Sequence, residues 1–534
     1  MIKKYLLLVL LISSLNLSSQ QNIDLVSNLP YENGLSDIWA YVDTSGIEYA
    51  LVAVKGTPWG NGGLSVVSLE DPEEPEEVFF APGTSSTWRD IKTYNGYAYV
   101  TTEAADGLMI LDLNGLPDTS SIIVENYYDE LWITAHNLYI DEAGTMFVFG
   151  AGNDSLGVDG VLIYDLNDDP FIPDFIGEYN VAYVHDGMAR GDTLYTANVY
   201  QGNFSIVDVS DPDDPIYLGG AETPGSFTHN IWVSDDGNYV YTTDEIADAF
   251  IASYDISDLD DIEEQDRIQF DPGSSTIVHN VHFLNEYIIT SYYKAGITIH
   301  DVSDPSNMVQ TGHYDTSPLS GSGFNGAWGV TPFLPSGLIL ASDISEGLFV
   351  LDATYTRAAR LEGSVTDAGN GNPINAAQVE VLDTEFLTID ESDVLGEYKT
   401  GIAEAGLFDV LVTKEGYFDV LVEDVELNND EVTELNIEMV SETANSINEE
   451  LLQSLRIYPN PIVDQMHIEF PEFDHFENLY VEISDLSGRL VQLERLMSSN
   501  TTVFFESSIQ QGVYILSLYS AGTALYKSKF IISK

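Results

Sequence analysis

The stretch "GITIHDVSDPSNMVQTGHY", Gly296–Tyr314, decides the fold. Its opening residues alternate apolar and polar side chains, as a half-buried strand must, and the Asp-Pro-Ser cluster that follows forces a turn. The phrase recurs as "GLSVVSLEDPEEPEEVFF" from Gly63, "GLMILDLNGLPD" from Gly107, "GVLIYDLNDDPFIPDFIGEY" from Gly160, "NFSIVDVSDPDDPIYLGG" from Asn203, "FIASYDISDLDD" from Phe250 and "GLFVLDATYT" from Gly347. Successive starts lie 43 to 53 residues apart. The sixth residue is Ser68 in the first copy and then Asp112, Asp165, Asp208, Asp255, Asp301 and Asp352. An Asp at a strand end before a turn is expected to cap backbone N–H groups.

Two further strand-like runs precede each phrase, as in "RDIKTYNGYAYVTTE" (Arg89–Glu103) and "HNVHFLNEYIITSYYKAG" (His279–Gly296), and a short run such as "IYLGG" follows it. Four strands per period, seven periods and no helical periodicity predict an all-β chain whose main part is a seven-bladed β-propeller. A β-helix needs much shorter periods. The run "EYALVAVKG" (Glu48–Gly56) supplies early strands of the first blade, so the strand from Gly347 is expected to pair with an N-terminal strand and close the ring.

The "VxDVSDPxxP" phrase resembles the LVIVD repeat. Together with "STWRDIKTYNGYAYVTTE" and "TAHNLYID" it resembles the secreted bacterial choice-of-anchor B family, over roughly Leu25 to Arg357. That resemblance implies a cell-surface propeller, assigned to residues 21–357, and supplies no catalytic residues.

Bulk composition narrows the partners. The 534 residues include 87 Asp and Glu against 18 Lys and Arg, a formal charge of −69, which repels phosphate backbones and argues against nucleic acid. "MIKKYLLLVLLISSLNLSSQ", residues 1–20, has the layout of a secretory signal peptide, with an apolar core too short to span a bilayer, and no transmembrane segment is expected. The absence of cysteine rules out a lipobox, disulfides and thiolate metal sites.

The first strand of each blade opens on a polar pair: Arg89-Asp90, His136-Asn137, His185-Asp186, His229-Asn230 and His279-Asn280, with Ser36-Asp37 and Trp328-Gly329 at the same place in the other two. Innermost strands line a propeller's channel, so these pairs form a candidate ring of imidazoles and oxygens for a small polar ligand or a cation such as Ca²⁺ or Mg²⁺. A residue that recurs once per blade also fits a structural role, satisfying backbone groups between blades. Both readings stand on the sequence. His282 lies three residues after His279, and strict alternation puts the two on opposite faces, so they are not expected to share a metal. Glu103, Asp244, Glu245, Asp343 and Glu346 mark second-strand exits and form a candidate acidic rim. No nucleophile elbow, P-loop, dinucleotide fingerprint, H-E-x-x-H or complete EF-hand loop occurs.

After Arg357 the pattern changes to short alternating strands. Gly363, Val365, Pro373-Ile374, Ala377, Val379, Gly396, Tyr398 and "FDVLVTKEGY" (Phe408–Tyr417) resemble the carboxypeptidase regulatory-like domain, which implies a non-catalytic β-sandwich over 358–440. A polar linker, 441–453, follows. "LRIYPNPIVDQMHIEF", "YVEISDLSGRLV", "QGVYILSLYSAG" and "LYKSKFIISK" then resemble, in fixed order, a type IX secretion system type A sorting domain over 454–534, a second small sandwich whose landmarks are Tyr458, Pro459, Asn460, Pro461, Gly488, Gly512 and Tyr514. The resemblance implies the type IX machinery as partner and the extracellular space or outer-membrane surface of a Gram-negative Bacteroidetes bacterium as location. The expectation is a monomeric binding or adhesion protein, its propeller a scaffold for a glycan or surface-protein ligand. The alternative is an extracellular hydrolase or lyase working at the channel mouth, which should break the repeat with one asymmetric cluster. No catalytic residue and no required cofactor is assigned.

Overall fold

The computed structural model describes residues 20–57, 62–152, 160–384, 386–441, 455–470, 479–485, 489–505, 509–520 and 523–533. The signal-peptide stretch before Gln20, most of the linker and Gly488 lie outside the described residues. A single 3₁₀ turn, Thr119–Ser121, is the one helical element among them.

Seven antiparallel sheets follow in chain order, each built so that consecutive strands are hydrogen-bonded neighbours. Their innermost strands are Leu35–Val42, Ile91–Tyr94, Asn137–Ile140, Asp186–Arg190, Thr228–Val233, Val281–Leu284 and Ala327–Thr331. Each packs on the next, and the last packs on the first, so the sheets close into a ring. This is a β-propeller. Closure is covalently remote: the seventh sheet is Ala327–Thr331, Ile339–Asp343 and Gly347–Ala353, completed by Ile23–Leu29 from the other end of the chain. The pairing expected for the strand from Gly347 is the one seen. Gln20–Gln21 adds a short fifth strand outside Val309–Tyr314 of the sixth sheet.

Apolar side chains from facing sheets fill the wedges between them, as with Phe204, Tyr241, Tyr254 and Tyr292. The Gly that opens the repeated phrase has a steric cause. Gly296 sits at φ +80°, and a Cβ there would lie 2.1 Å from the Tyr314 carbonyl oxygen of the neighbouring strand. At the far end of the third strand the recurrent carboxylate caps its turn: Asp112, Asp165, Asp208, Asp255 and Asp301 accept from the backbone N–H two residues on at 2.9–3.0 Å.

Two sheets follow the propeller, one around Ala359–Asp367 and one around Gly406–Thr413, with Leu361, Val379, Val410 and Leu427 in the core between them. This sandwich docks on the turn end of the sixth sheet and along its outer edge, where Phe386 packs on Phe270 and His313. Asn307 Nδ2 reaches Glu362 Oε1 at 2.9 Å, Lys399 Nζ reaches Ser306 Oγ at 2.7 Å, and Arg357, Ala358 and Arg360 converge on Asp301.

The final unit pairs a three-stranded with a four-stranded sheet over a core that includes Met466, Val481, Leu516 and Phe530. Tyr458 ends the strand Arg456–Tyr458, and the Pro459-Asn460-Pro461 turn brings Asn460 Oδ1 to the Ile531 N–H at 3.0 Å. Gly512 opens the strand Gly512–Ser520, in which the Tyr514 hydroxyl donates to the Gln510 carbonyl at 2.8 Å.

Candidate functional site at the channel mouth

Strict alternation would send the two members of each polar pair to opposite faces. A β-bulge at the start of the inner strand prevents this. Register shifts by one residue at Ser36-Asp37, at His229 and at Trp328, and elsewhere two consecutive residues share one partner: the Ser291 carbonyl accepts from the His279 N–H while the Ser291 N–H donates to the Asn280 carbonyl. Two residues opposing one is the mark of a bulge, which re-aims side chains. In the four His pairs both members therefore reach the axis, in two successive layers.

The upper layer is a closed aromatic ring. His136, His185, His229 and His279 follow one another at centroid separations of 4.0, 4.5 and 4.3 Å, Trp328 lies 4.7 Å beyond His279, and Trp88 bridges Trp328 and His136 at 6.4 and 6.5 Å. Trp88 is contributed by the loop before Arg89, a member that the pair alignment missed. Arg89 itself turns away from Asp90, and its guanidinium donates to the Thr84 carbonyl.

The second layer is polar and largely staples sheet to sheet. Asp90 accepts from the Leu138 N–H of the next sheet at 3.0 Å, Asn230 accepts from the Val281 N–H at 3.0 Å, and Asn230 Nδ2 donates to Asp186 at 2.7 Å. Hydroxyls on the second strands add a recurring latch to the next sheet: Thr101 to the His136 carbonyl, Thr243 to His279, Ser291 to Trp328 and Ser342 to Ser36. These structural partners belong to the repeat. Asn137 Oδ1 and Asn280 Oδ1, by contrast, are buried without a hydrogen-bond partner.

Lys92 Nζ stands 2.8 and 3.0 Å from the two oxygens of Asp90 and 3.9 Å from Asp37. Of the ring oxygens, those of Asp90 and Asp37 thus already face an ammonium. Burial opposes ionisation of Asp90, but the Lys92 charge and hydrogen bonds hold its carboxyl below the usual range. Burial and the neighbouring Asp90 push Asp37 well up. Burial raises Asp186 to about 6.

Below this layer Trp39, Trp232, His282 and Phe333 plug the axis, with centroid separations of 4.5–6.2 Å. His282 faces inward like His279, because the bulge resets the alternation, but it lies a layer away. A cavity of about 20 Å³ lies between the ring and the polar layer, lined by Asp37, Arg89, Asp90, Asn137 and Asn280 and by ring members that include His229 and His279. That volume admits one water-sized guest.

Burial keeps His185, His229 and His279 uncharged. It drives His185 and His229 well below the ordinary imidazole range and His279 to about 3. The candidate acidic rim divides by role. Asp244 and Asp343 are buried loop clamps, the former bonded to Thr223 and the Gly225 and Phe227 N–H groups, the latter to Thr316 and the Ser345 and Glu346 N–H groups. Glu103 and Glu245 instead face the ring: Glu103 lies 2.7 Å from His136 Nδ1, and Glu245 lies 3.7 Å from Nε2 of both His229 and His279. Burial raises Glu245 to about 7, against a hydrogen bond of 2.5 Å from the Tyr293 hydroxyl.

Around the ring the mouth exposes aromatic surface. Tyr200 is 74% exposed and stacks at 4.9 Å on Tyr183, which touches His185; Phe324 is 61% exposed and meets Tyr293, itself against His279.

The LVIVD repeat family matches residues 87–129, 185–223 and 280–316. Each match runs from the inner-strand bulge past the outer strand of one sheet, the second, fourth and sixth. Residues 456–533 match the secretion system C-terminal sorting domain. The protein is secreted or held at the cell surface. No helix among the described residues is long and apolar enough to cross a membrane. Among solved structures the chain is similar to the β-propeller domain of Cps50 (Swd1) from Myceliophteria thermophila, at 11% identity and a TM-score of 0.44, over 62% of this chain and 100% of that one. No curated protein matches it.

Proposed function

We propose that the chain is a binding or adhesion protein of the choice-of-anchor B kind, exported by the type IX machinery of a Bacteroidetes bacterium, with the propeller mouth as its ligand-binding face. The propeller spans 21–357 in this reading. A carboxypeptidase regulatory-like sandwich (358–440) serves as its stalk, and a linker (441–453) leads to the sorting domain (454–534). The observation that carries it is the polarity of the propeller. The sandwich docks on the acidic turn end at Asp301, Ser306 and Asn307, whereas Tyr200, Phe324 and Trp88 stand exposed at the other end around the imidazole ring. A face turned away from the stalk and rich in flat amphipathic side chains suits stacking on a glycan or a protein surface.

The axis itself weighs against the alternative of an extracellular hydrolase or lyase. Between the aromatic ring and the polar layer there is room for one water, so a polysaccharide or lactone has no cleft to enter there.

Glycan-array and surface-protein binding by the purified full chain tests the proposal. Tyr200→Ala and Phe324→Ala should abolish the strongest signal while leaving thermal unfolding unchanged. Binding that survives both changes, and is lost instead on altering the turn end at Glu73 and Asp213, overturns the assignment of the mouth.

A further inference from the structure

One corner of the mouth breaks the repeat. Nε2 of His229, Nε2 of His279 and the Glu245 carboxylate all lie within 4.8 Å of one another, and each imidazole nitrogen stands 3.7 Å from a Glu245 oxygen, beyond hydrogen-bond reach. Three donor atoms thus face one another without bonding. Behind two of the three the outer partners are already in place, while His229 Nδ1 is buried without a hydrogen-bond partner. His279 Nδ1 is 2.6 Å from the Trp328 carbonyl, to which its N–H donates, and this tautomer leaves the Nε2 lone pair pointing at Glu245. The Tyr293 hydroxyl donates to Glu245 Oε1 at 2.5 Å and fixes the carboxylate. A carbonyl behind the imidazole and a donor behind the carboxylate are the outer partners that metal ligands use.

The geometry points to a divalent d-block cation of the Zn²⁺ class held by His229, His279 and Glu245. Donors about 2.0–2.2 Å from one tetrahedral ion lie about 3.4 Å apart; the two 3.7 Å approaches, from His229 to Oε2 and from His279 to Oε1, close with a shift of a few tenths of an ångström onto a carboxylate that offers both oxygens, and the widest separation in the group, within 4.8 Å, closes with a larger side-chain movement. Two imidazoles and one carboxylate select Zn²⁺, Co²⁺, Ni²⁺ or Cu²⁺ over Ca²⁺ and Mg²⁺, which demand oxygen. Among the described residues no other group of three His or acidic side chains converges in this way. Three protein donors leave a position for water or for a donor from a docked molecule. The inference does not depend on which ligand the aromatic rim takes.

Calorimetric titration of the untagged full chain with Zn²⁺, in an excess of Mg²⁺ and Ca²⁺ to fill the surface carboxylates, tests it. One tight equivalent is expected, together with a Co²⁺ visible spectrum of four- or five-coordinate intensity. Glu245→Gln should weaken Zn²⁺ at least tenfold, Tyr293→Phe about tenfold, and His136→Gln, on the far side of the ring, not at all. No tight equivalent, a six-coordinate Co²⁺ spectrum, or equal affinity in the Glu245→Gln chain overturns the assignment. The Co²⁺ spectrum decides on the unaltered protein even if a variant fails to fold.

Discussion

Arg357 sets a guanidinium nitrogen 3.0 Å from Asp301, while the adjoining Ala358 N–H donates to the other oxygen of the same carboxylate at 2.8 Å. Asp301 occupies the turn-cap position of its sheet, yet it is wholly buried, and the cap has become the joint between propeller and sandwich. Burial opposes its ionisation, but the Ala358 and Ser303 N–H groups and Arg360 overcome that and hold its carboxyl below the usual range. Its stabilisation is therefore complete at neutral pH and is lost as acidity carries the folded carboxyl through its depressed pKa. Asp301→Asn should cost about 3–5 kcal/mol in urea unfolding, because the buried Arg360 loses its counter-charge and Arg357 is left with Glu286 alone. Asp255→Asn, the same position in the fifth sheet at an exposed turn, should cost less than about 1 kcal/mol.

Lys92→Met is expected to destabilise the ring by about 3–5 kcal/mol, since it strands Asp90 and Asp37 in a buried layer without their cation. The double change with Asp90→Asn should recover part of this. Denaturant midpoints of the single and double variants, read as a cycle, measure the coupling.

His282 gives a pH signature. Burial, reinforced by the Lys92 charge and partly offset by Asp90, lowers its pKa to about 3. The unfolded chain therefore binds a proton below about pH 6.5 that the folded chain refuses, and stability falls as pH drops. His282→Phe keeps the packing against Trp39, Trp232 and Phe333 and removes the proton. Between about pH 7.5 and about pH 5 the stability of the variant relative to the parent should grow by about 2 kcal/mol.

Removing Ile23–Leu29 takes the outermost strand from the seventh sheet and bares the edge of Gly347–Ala353. The thermal midpoint should fall by on the order of 10 °C or more, whereas removing residues 20–21 should barely move it. Calorimetry of the two deletions distinguishes a fastening strand from an ornamental one.

The sheets were legible because the signal that marks them is local. Alternation, the glycine before the third strand and the Asp that caps its turn all act within a few residues, and seven copies in register amplify them. The polar pairs were legible as positions and not as geometry. One extra residue of bulge turns the Asn or Asp of each pair back to the axis, and alternation alone cannot announce it. Trp88 escaped because it acts through residues of other sheets, and Glu245 was legible as a rim carboxylate but not as the neighbour of His229 and His279. Thr101, Thr243, Ser291 and Ser342, at matching places in four of the seven sheets, are a signal that a repeat alignment of the second strands would have exposed. Asp301 could not be told from its five relatives, since what makes it different is the arrival of Arg357, 56 residues later.

The pairing of Ile23–Leu29 with Gly347–Ala353 also bears on how the chain reaches its final form. A polypeptide made or threaded from its first residue must keep that strand waiting while more than 300 residues pass, so its contact order is high and ring closure belongs among the slow steps of folding. Any chain interrupted before Ala353 is left as an open arc with unsatisfied sheet edges, a form that proteases and aggregation can distinguish from the finished molecule.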